Sequence, residues 1–340
     1  MSKKKYIFAL EAVIIILVIG CILHTRNYKQ SHAELFTMDT IITMTAYGAN
    51  GQEAIDAATK EINRLNALWS IGSPNSEISQ INDIGSGQIS TDTASLLQTA
   101  VTAYRQTDGL FDCTIYPLME LWGFTSQQYY VPEQEEITAL LPLVDGSSVT
   151  VRDNHAVTLA PGQKIDLGGI AKGYASARMM EIFQEYGVKS AIVSLGGNIQ
   201  TLGKRPDRKK WRVGIQDPNG TTGEYLATLE VENKAVITSG GYERYFIENN
   251  RAYTHILDPR TGYPAETDLL SVTVVSSDGA QADALSTALY IMGKEKAVEY
   301  WKAHATEFDL VLVDDTNALY VTDGIKNEFS SEQEITILSP

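Results

Sequence analysis

Strand-like segments in this chain come in neighbouring runs, and helical stretches lie between the runs instead of alternating with single strands. That pattern favours an α+β fold, with largely antiparallel sheets and packed helices, over a doubly wound parallel sheet. Met38 to Tyr47 alternates β-branched and polar residues and reads as a strand. Between Gly51 and Trp69, Ile55, Ala58, Ile62, Leu65 and Leu68 fall three or four apart, which predicts a helix. Residues 70–87 read as a loop and 92–107 as a helix with Asp92 at its N-cap. A short helix is expected over 132–141, a hairpin over 149–160, and a helix over 170–186 stopped by Gly187. Strands follow at 191–195, 211–216, 225–231, 235–238, 244–247 and 269–276, then helices at 278–292 and 295–303. Strands at 310–313 and 318–321 close the series. The expected body is two-lobed, with a ligand cleft near residues 160–180 between the lobes.

The N-terminus is of a different kind. Lys3, Lys4 and Lys5 precede an apolar run from Tyr6 to Cys21 broken only by Glu11. This reads as the basic and apolar parts of a signal peptide, too short to argue firmly for a spanning helix. Its end, Leu17-Val18-Ile19-Gly20-Cys21, resembles a bacterial lipobox, in which cleavage before the cysteine is followed by its lipidation. The organisation expected is a leader over 1–20, a flexible tether over 21–32 from lipidated Cys21, and a globular domain over 33–340. A plain membrane anchor is the alternative. Either places the domain on the extracytoplasmic face of the cell membrane, because basic residues stay inside.

Cys113 is the only other cysteine, so lipidation of Cys21 leaves no internal disulfide. A net charge of −15 argues against nucleic acid as a partner and against holding an anionic membrane by charge. An anionic ligand therefore needs a local basic site or a divalent cation.

One segment offers such a site. Lys164 to Tyr174 (KIDLGGIAKGY) packs Asp166, Gly168, Gly169 and Lys172 between a strand-like and a helical run. Glycines let backbone N–H groups approach a ligand, a helix start favours negative charge, and lysine is a movable point charge. A simple turn with a solvated lysine is the bland alternative. In Gly109 to Phe124, Phe111 and Trp122 could wall a planar ring or serve as ordinary core. Thr238 to Arg244 (TSGGYER) reads as a phosphate-binding strand end or a turn. His255, one of five histidines, precedes a Pro–Gly turn of the kind that faces sites, a structural histidine being the alternative. Asp283 and Thr287, four apart on a helix, project oxygens from one face and suit Mg²⁺, the alternative being a solvated carboxylate and a helix-packing threonine. Zinc is disfavoured because no Cys/His ligand set exists.

Taken together, the chain resembles the ApbE-type FAD:protein FMN transferases from about Met38 to Tyr320. The likeness is carried by SEISQIN (76–82), GLFDCTIYPLMELWGF (109–124), KIDLGGIAKGY (164–174), SLGGNI (194–199), ITSGGYERYF (237–246), YTHILDPRTGYP (253–264) and DALSTALYIMG (283–293). The resemblance implies that Met38, Leu110, Phe111, Asp112, Asp166, Lys172, His255 and Ile256 contact FAD. It further implies that Gly169, Asp283 and Thr287 hold Mg²⁺ and that His255 is catalytic. The implied reaction moves FMN from FAD to a Thr or Ser hydroxyl of an extracytoplasmic acceptor protein and releases AMP. A Mg²⁺-dependent FAD pyrophosphatase and a non-catalytic FAD-binding lipoprotein are the alternatives. The chain departs from the family pattern at Asp39, Cys113 and Tyr116, and Gly72 stands where many members carry an aromatic.

Overall fold

A computed structural model describes residues 29–221 and 223–340. Cys21 and the expected leader lie outside the described residues. Nine strands lie side by side in the order in which the chain makes them: β1 (Gln30–Thr37), β2 (Thr40–Tyr47), β3 (Ser190–Leu195), β4 (Asn198–Leu202), β5 (Ala235–Gly240), β6 (Leu269–Ser276), β7 (Phe308–Asp314), β8 (Leu319–Thr322) and β9 (Ile335–Leu338). Every neighbouring pair is antiparallel except β8 and β9. The fold is thus α+β with largely antiparallel sheets.

Between β2 and β3 the chain makes a long excursion through α1 (Gly51–Trp69), α2 (Glu77–Ile84), α3 (Thr91–Gln106), α4 (Tyr116–Leu121), α5 (Gln134–Leu140) and α6 (Ala171–Glu185). Two more helices, α7 (Gly279–Met292) and α8 (Lys294–Ala303), separate β6 from β7.

The period-2 pattern of the central strands sorts their side chains between two cores. Val272 and Val274 of β6, with Leu310 and Leu312 of β7, join the helices in the larger core. Val275, Val311 and Val313 point the other way, against Trp211, Leu229 and Phe329 of a small three-stranded sheet. In α1, Ile55, Ile62 and Leu65 are at most 1% exposed. Each such side chain contributes about 1.5–3 kcal/mol through burial, which holds an otherwise marginal helix to the sheet. A third cluster, built on Leu118, Trp122, Phe124, Ile137, Phe246 and Leu257, stands apart from both cores.

Several local expectations need correction. Met38 and Asp39 are not strand residues; they form the β1–β2 turn with φ of 53° and 55°. Two positive φ values match the twist a two-residue hairpin requires, and Asp tolerates that region better than most side chains. β1 begins at Gln30, so residues 30–32 of the expected tether belong to the sheet. The expected loop at 70–87 contains α2, started by the Ser76 hydroxyl accepting from Ser79 N and ended by left-handed Gly85. α3 is capped by Ser90, not Asp92, which lies within its first turn. Gly196 and Gly197 end β3 as a strand and turn the chain into β4.

Candidate active site

A cavity of about 200 Å³ opens where the end of β5, the start of α6 and the middle of α7 meet residues 110–119 and the turn after His255. A wider groove outside α1 and α6 is a charged surface, where Arg64 is already paired with Glu61 and Asp92.

The loop before α6 is fixed from two sides. Asn82 of α2 accepts from Ile165 N at 2.7 Å and donates to its carbonyl at 2.8 Å, copying a strand pairing. One residue on, Asp166 N donates to the Cys113 carbonyl. The Asp166 carboxylate then accepts from Gly168 N at 2.8 Å, bending the chain so that Gly168, Gly169 and Lys172 line the cavity. Burial raises the Asp166 pKa, and the Gly168 bond and the charges of Arg244 and Lys172 oppose that rise.

Asp283 reaches this loop from α7. Its carboxylate accepts from Gly173 N at 2.8 Å and from Asn198 Nδ2 at 3.0 Å. Gly173 lies in the first turn of α6, whose N-cap residue Ile170 supplies no side-chain bond. Asp283 therefore satisfies a free N–H at the positive end of α6, a favourable place for a carboxylate. It is only 4% exposed, and both Asp283 and the half-buried Thr287 line the cavity. A β-carbon on Gly169 would lie 3.9 Å from Thr287 Oγ1, so these two positions are close neighbours, and Asp283 lines the same cavity. A carboxylate, a hydroxyl and a main-chain carbonyl are hard donors that fit Mg²⁺ with several shell positions left open. Among the described residues, no three His, Cys, Asp or Glu side chains come together as a metal cluster.

His255 faces the same space. Its Nδ1 lies 3.1 Å from the Arg244 carbonyl, which also accepts from His255 N at 3.0 Å. A carbonyl cannot donate, so the proton sits on Nδ1 and Nε2 keeps its lone pair. Burial, with Arg244 and Lys172 nearby, lowers the ring's pKa to about 4, so it is neutral at pH 7.

Leu110 and Phe111 form an apolar wall with Ile256. Asp112 borders the cavity, but its oxygens accept from Thr114 N, Thr114 Oγ1 and Gly146 N. It therefore also fixes the shape of this segment, and burial raises its pKa. Beyond His255, Asp258 clasps Arg260 and its carbonyl accepts from Gly262 N, while Trp122 Nε1 donates to the Gly262 carbonyl at 2.8 Å. The third core cluster thereby holds the turn that presents His255, Ile256 and Leu257.

A model of the ApbE family matches residues 38–312. The chain belongs to the ApbE family. A relative from Klebsiella pneumoniae named "FAD:protein FMN transferase" is 31% identical, the match covering 81% of this chain and 84% of the relative. One from Haemophilus influenzae with the same name is 32% identical over 76% of this chain and 77% of its own length. The crystal structure of an ApbE protein from Thermotoga maritima superposes with a TM-score of 0.82 at 33% identity, covering 90% of this chain and all of that one (100%). A structure of the flavin transferase ApbE from Vibrio cholerae gives 0.79 at 26% identity, covering 88% and 99% of the two chains.

Within this ApbE chain, the cavity collects Leu110, Phe111, Asp112, Asp166, Gly169, Lys172, His255, Ile256, Asp283 and Thr287 from the sequence-derived set. Met38 is not among its lining residues; it packs half-buried against the larger core. Trp69 and Tyr174 pack edge to face, centroids 5.5 Å apart, and neither lines the cavity. Sequence reading did not name Glu243 and Arg244 as site residues, although both line the cavity and lie in the ITSGGYERYF block. Their charges were the available signal. Glu243 is open to solvent through the cavity, yet protein surrounds it closely enough to raise its pKa to about 7 against the pull of Lys172.

Proposed function

We propose that this chain is a transferase that moves the FMN part of FAD to a Thr or Ser hydroxyl of an acceptor protein outside the cytoplasm and releases AMP. The observation that carries the reading is the convergence of Lys172, His255, Asp283 and Thr287, from three distant stretches of sequence, on one cavity with an apolar wall. The flavin transferase activity is that of the named relatives. The metal, the hydroxyl acceptor and the location are this chain's proposed particulars.

In this scheme Phe111, Leu110 and Ile256 offer flat apolar area to the flavin half. Lys172, at the positive end of α6, faces the diphosphate. Asp283, Thr287 and the Gly169 carbonyl would hold Mg²⁺, which when bound neutralises diphosphate charge. The acceptor hydroxyl attacks the phosphorus on the FMN side. The bond from that phosphorus to the bridging oxygen breaks, and the oxygen leaves with AMP. His255 Nε2 takes the hydroxyl proton, a role worth roughly 10²–10⁴-fold in rate. A ring of such low basicity accepts it only as the new oxygen–phosphorus bond acidifies the hydroxyl. This use of a neutral imidazole favours transfer over storage, because holding FAD needs no proton acceptor.

The leader and Cys21 motif support an extracytoplasmic, lipid-anchored setting. No helix of the described residues is long and apolar enough to cross a membrane. The decisive experiment is co-expression with candidate exported proteins followed by mass spectrometry. A mass gain of one FMN less water on Thr or Ser is the expected result. Release of FMN and AMP from FAD and Mg²⁺, without any modified protein, would instead establish a pyrophosphatase.

A further inference from the structure

Arg244 touches His255 in two ways. Its carbonyl receives both the main-chain N–H and Nδ1 of the histidine, at 3.0 and 3.1 Å. Its guanidinium crosses to the Phe124 carbonyl, with Nη2 at 2.7 Å. Phe124 is buried and stands edge-on to the imidazole, ring centroids 6.4 Å apart at 68°. The three residues close a triangle around the ring, and Arg244 also lines the cavity.

We propose that Arg244 is a positioning residue for the transfer reaction, fixing the tautomer and direction of the His255 ring through its carbonyl while its hooked guanidinium keeps that carbonyl in place. The role of the ring as proton acceptor rests on the flavin-transfer reading; the positioning itself does not. Arginine suits the task because a planar fork can hold a main-chain oxygen and still present a charge. That charge and Lys172 face the imidazole, and Asp112, Asp166, Glu243 and Asp283 line the same cavity. Removing the guanidinium therefore has two separable effects: the ring is freed to exchange tautomers, and one of the two cations that disfavour its protonation is lost.

The test is ¹⁵N NMR of histidine side chains in the flavin-free protein from pH 4 to 8, comparing wild type, Arg244→Gln and Arg244→Lys, with His255→Ala to assign the signal. Wild type is expected to show neutral His255 with the proton on Nδ1. Arg244→Gln is expected to mix tautomers and to raise the titration by about one unit or more, as loss of a nearby like charge does. Arg244→Lys is expected to mix tautomers while titrating close to wild type. An Nδ1-protonated ring with unchanged titration in folded Arg244→Gln overturns the proposal. Should that variant not fold, an unmixed tautomer in Arg244→Lys overturns it. Failure of the wild type to transfer FMN refutes the proposed reaction and leaves the NMR result standing.

Discussion

Gly173 and Gly279 meet backbone to backbone where α6 crosses α7. A β-carbon on Gly173 would lie 2.1 Å from the Gly279 carbonyl oxygen, and one on Gly279 would lie 2.6 Å from the Gly173 carbonyl oxygen. Alanine at either position must push the helices apart, a form of overpacking that costs about 1–3 kcal/mol. The same displacement draws Gly173 N away from Asp283. Both variants are expected to lose thermal stability and FAD affinity together, as measured by melting and fluorescence titration. Stability and affinity equal to wild type would show that the crossing has slack.

Asp283 and Thr287 should respond differently to truncation. Asp283→Ala leaves Gly173 N and the Asn198 amide without their acceptor, at a cost of about 1–3 kcal/mol for each buried group left unpaired. Among the described residues, Thr287 Oγ1 has only a long contact, 3.3 Å to Ser239 Oγ. Thr287→Val is therefore expected to stay within about 0.5 kcal/mol of wild type in urea unfolding while losing Mg²⁺-dependent transfer. Asp283→Ala should lose both. Full Mg²⁺-dependent transfer by the Thr287 variant would remove it from the metal site.

The histidine sets a pH dependence with a definite sign. His255 has its pKa lowered from 6.5 to about 4 in the folded chain, so the unfolded chain binds more protons between those values. Its contribution to stability is present in full above about pH 6.5 and is lost as the pH falls towards 4. Denaturation midpoints of wild type should fall more steeply across this window than those of His255→Gln. Parallel curves would show that the ring titrates normally. Transfer by wild type should likewise lack an acid limb near pH 6.5.

Glu243 acts in the opposite sense. Its pKa is raised from 4.5 to about 7 by burial, so its charge begins to oppose folding as the pH rises through that range. Glu243→Gln is expected to gain stability relative to wild type above pH 7 and to bind FAD more tightly there, because a negative charge lining the cavity is gone. Weaker FAD binding by this variant at pH 8 would mean that the carboxylate serves the ligand.

The α+β class and the long helices were legible because their signals are local: α1 carries its whole apolar stripe within nineteen residues. Elements that end in special backbone were not. The β1–β2 turn looks like strand because Met38 and Asp39 give no glycine to mark their positive φ. Helix α2 hides in a polar stretch, although Ser76 and Gly85 bracket it as caps. At the site, single residues such as Lys172 and Asp283 could be named from motif blocks, but their meeting depends on a glycine-to-glycine helix crossing that no local pattern encodes. Asp283 also proved to be a helix cap as well as a ligand candidate, a double duty that only packing reveals. Glu243 and Arg244 escaped notice because their segment reads equally well as a turn.

The nine-strand order has a consequence for how the molecule is made. A polypeptide emerging from its amino end can add each strand to the edge of the one before it. The pocket allows no such growth, since Asp283 and Thr287 arrive only after β6 is complete. A chain made only as far as β6 thus owns six of the nine strands yet still lacks the helix that brings both residues to the cavity.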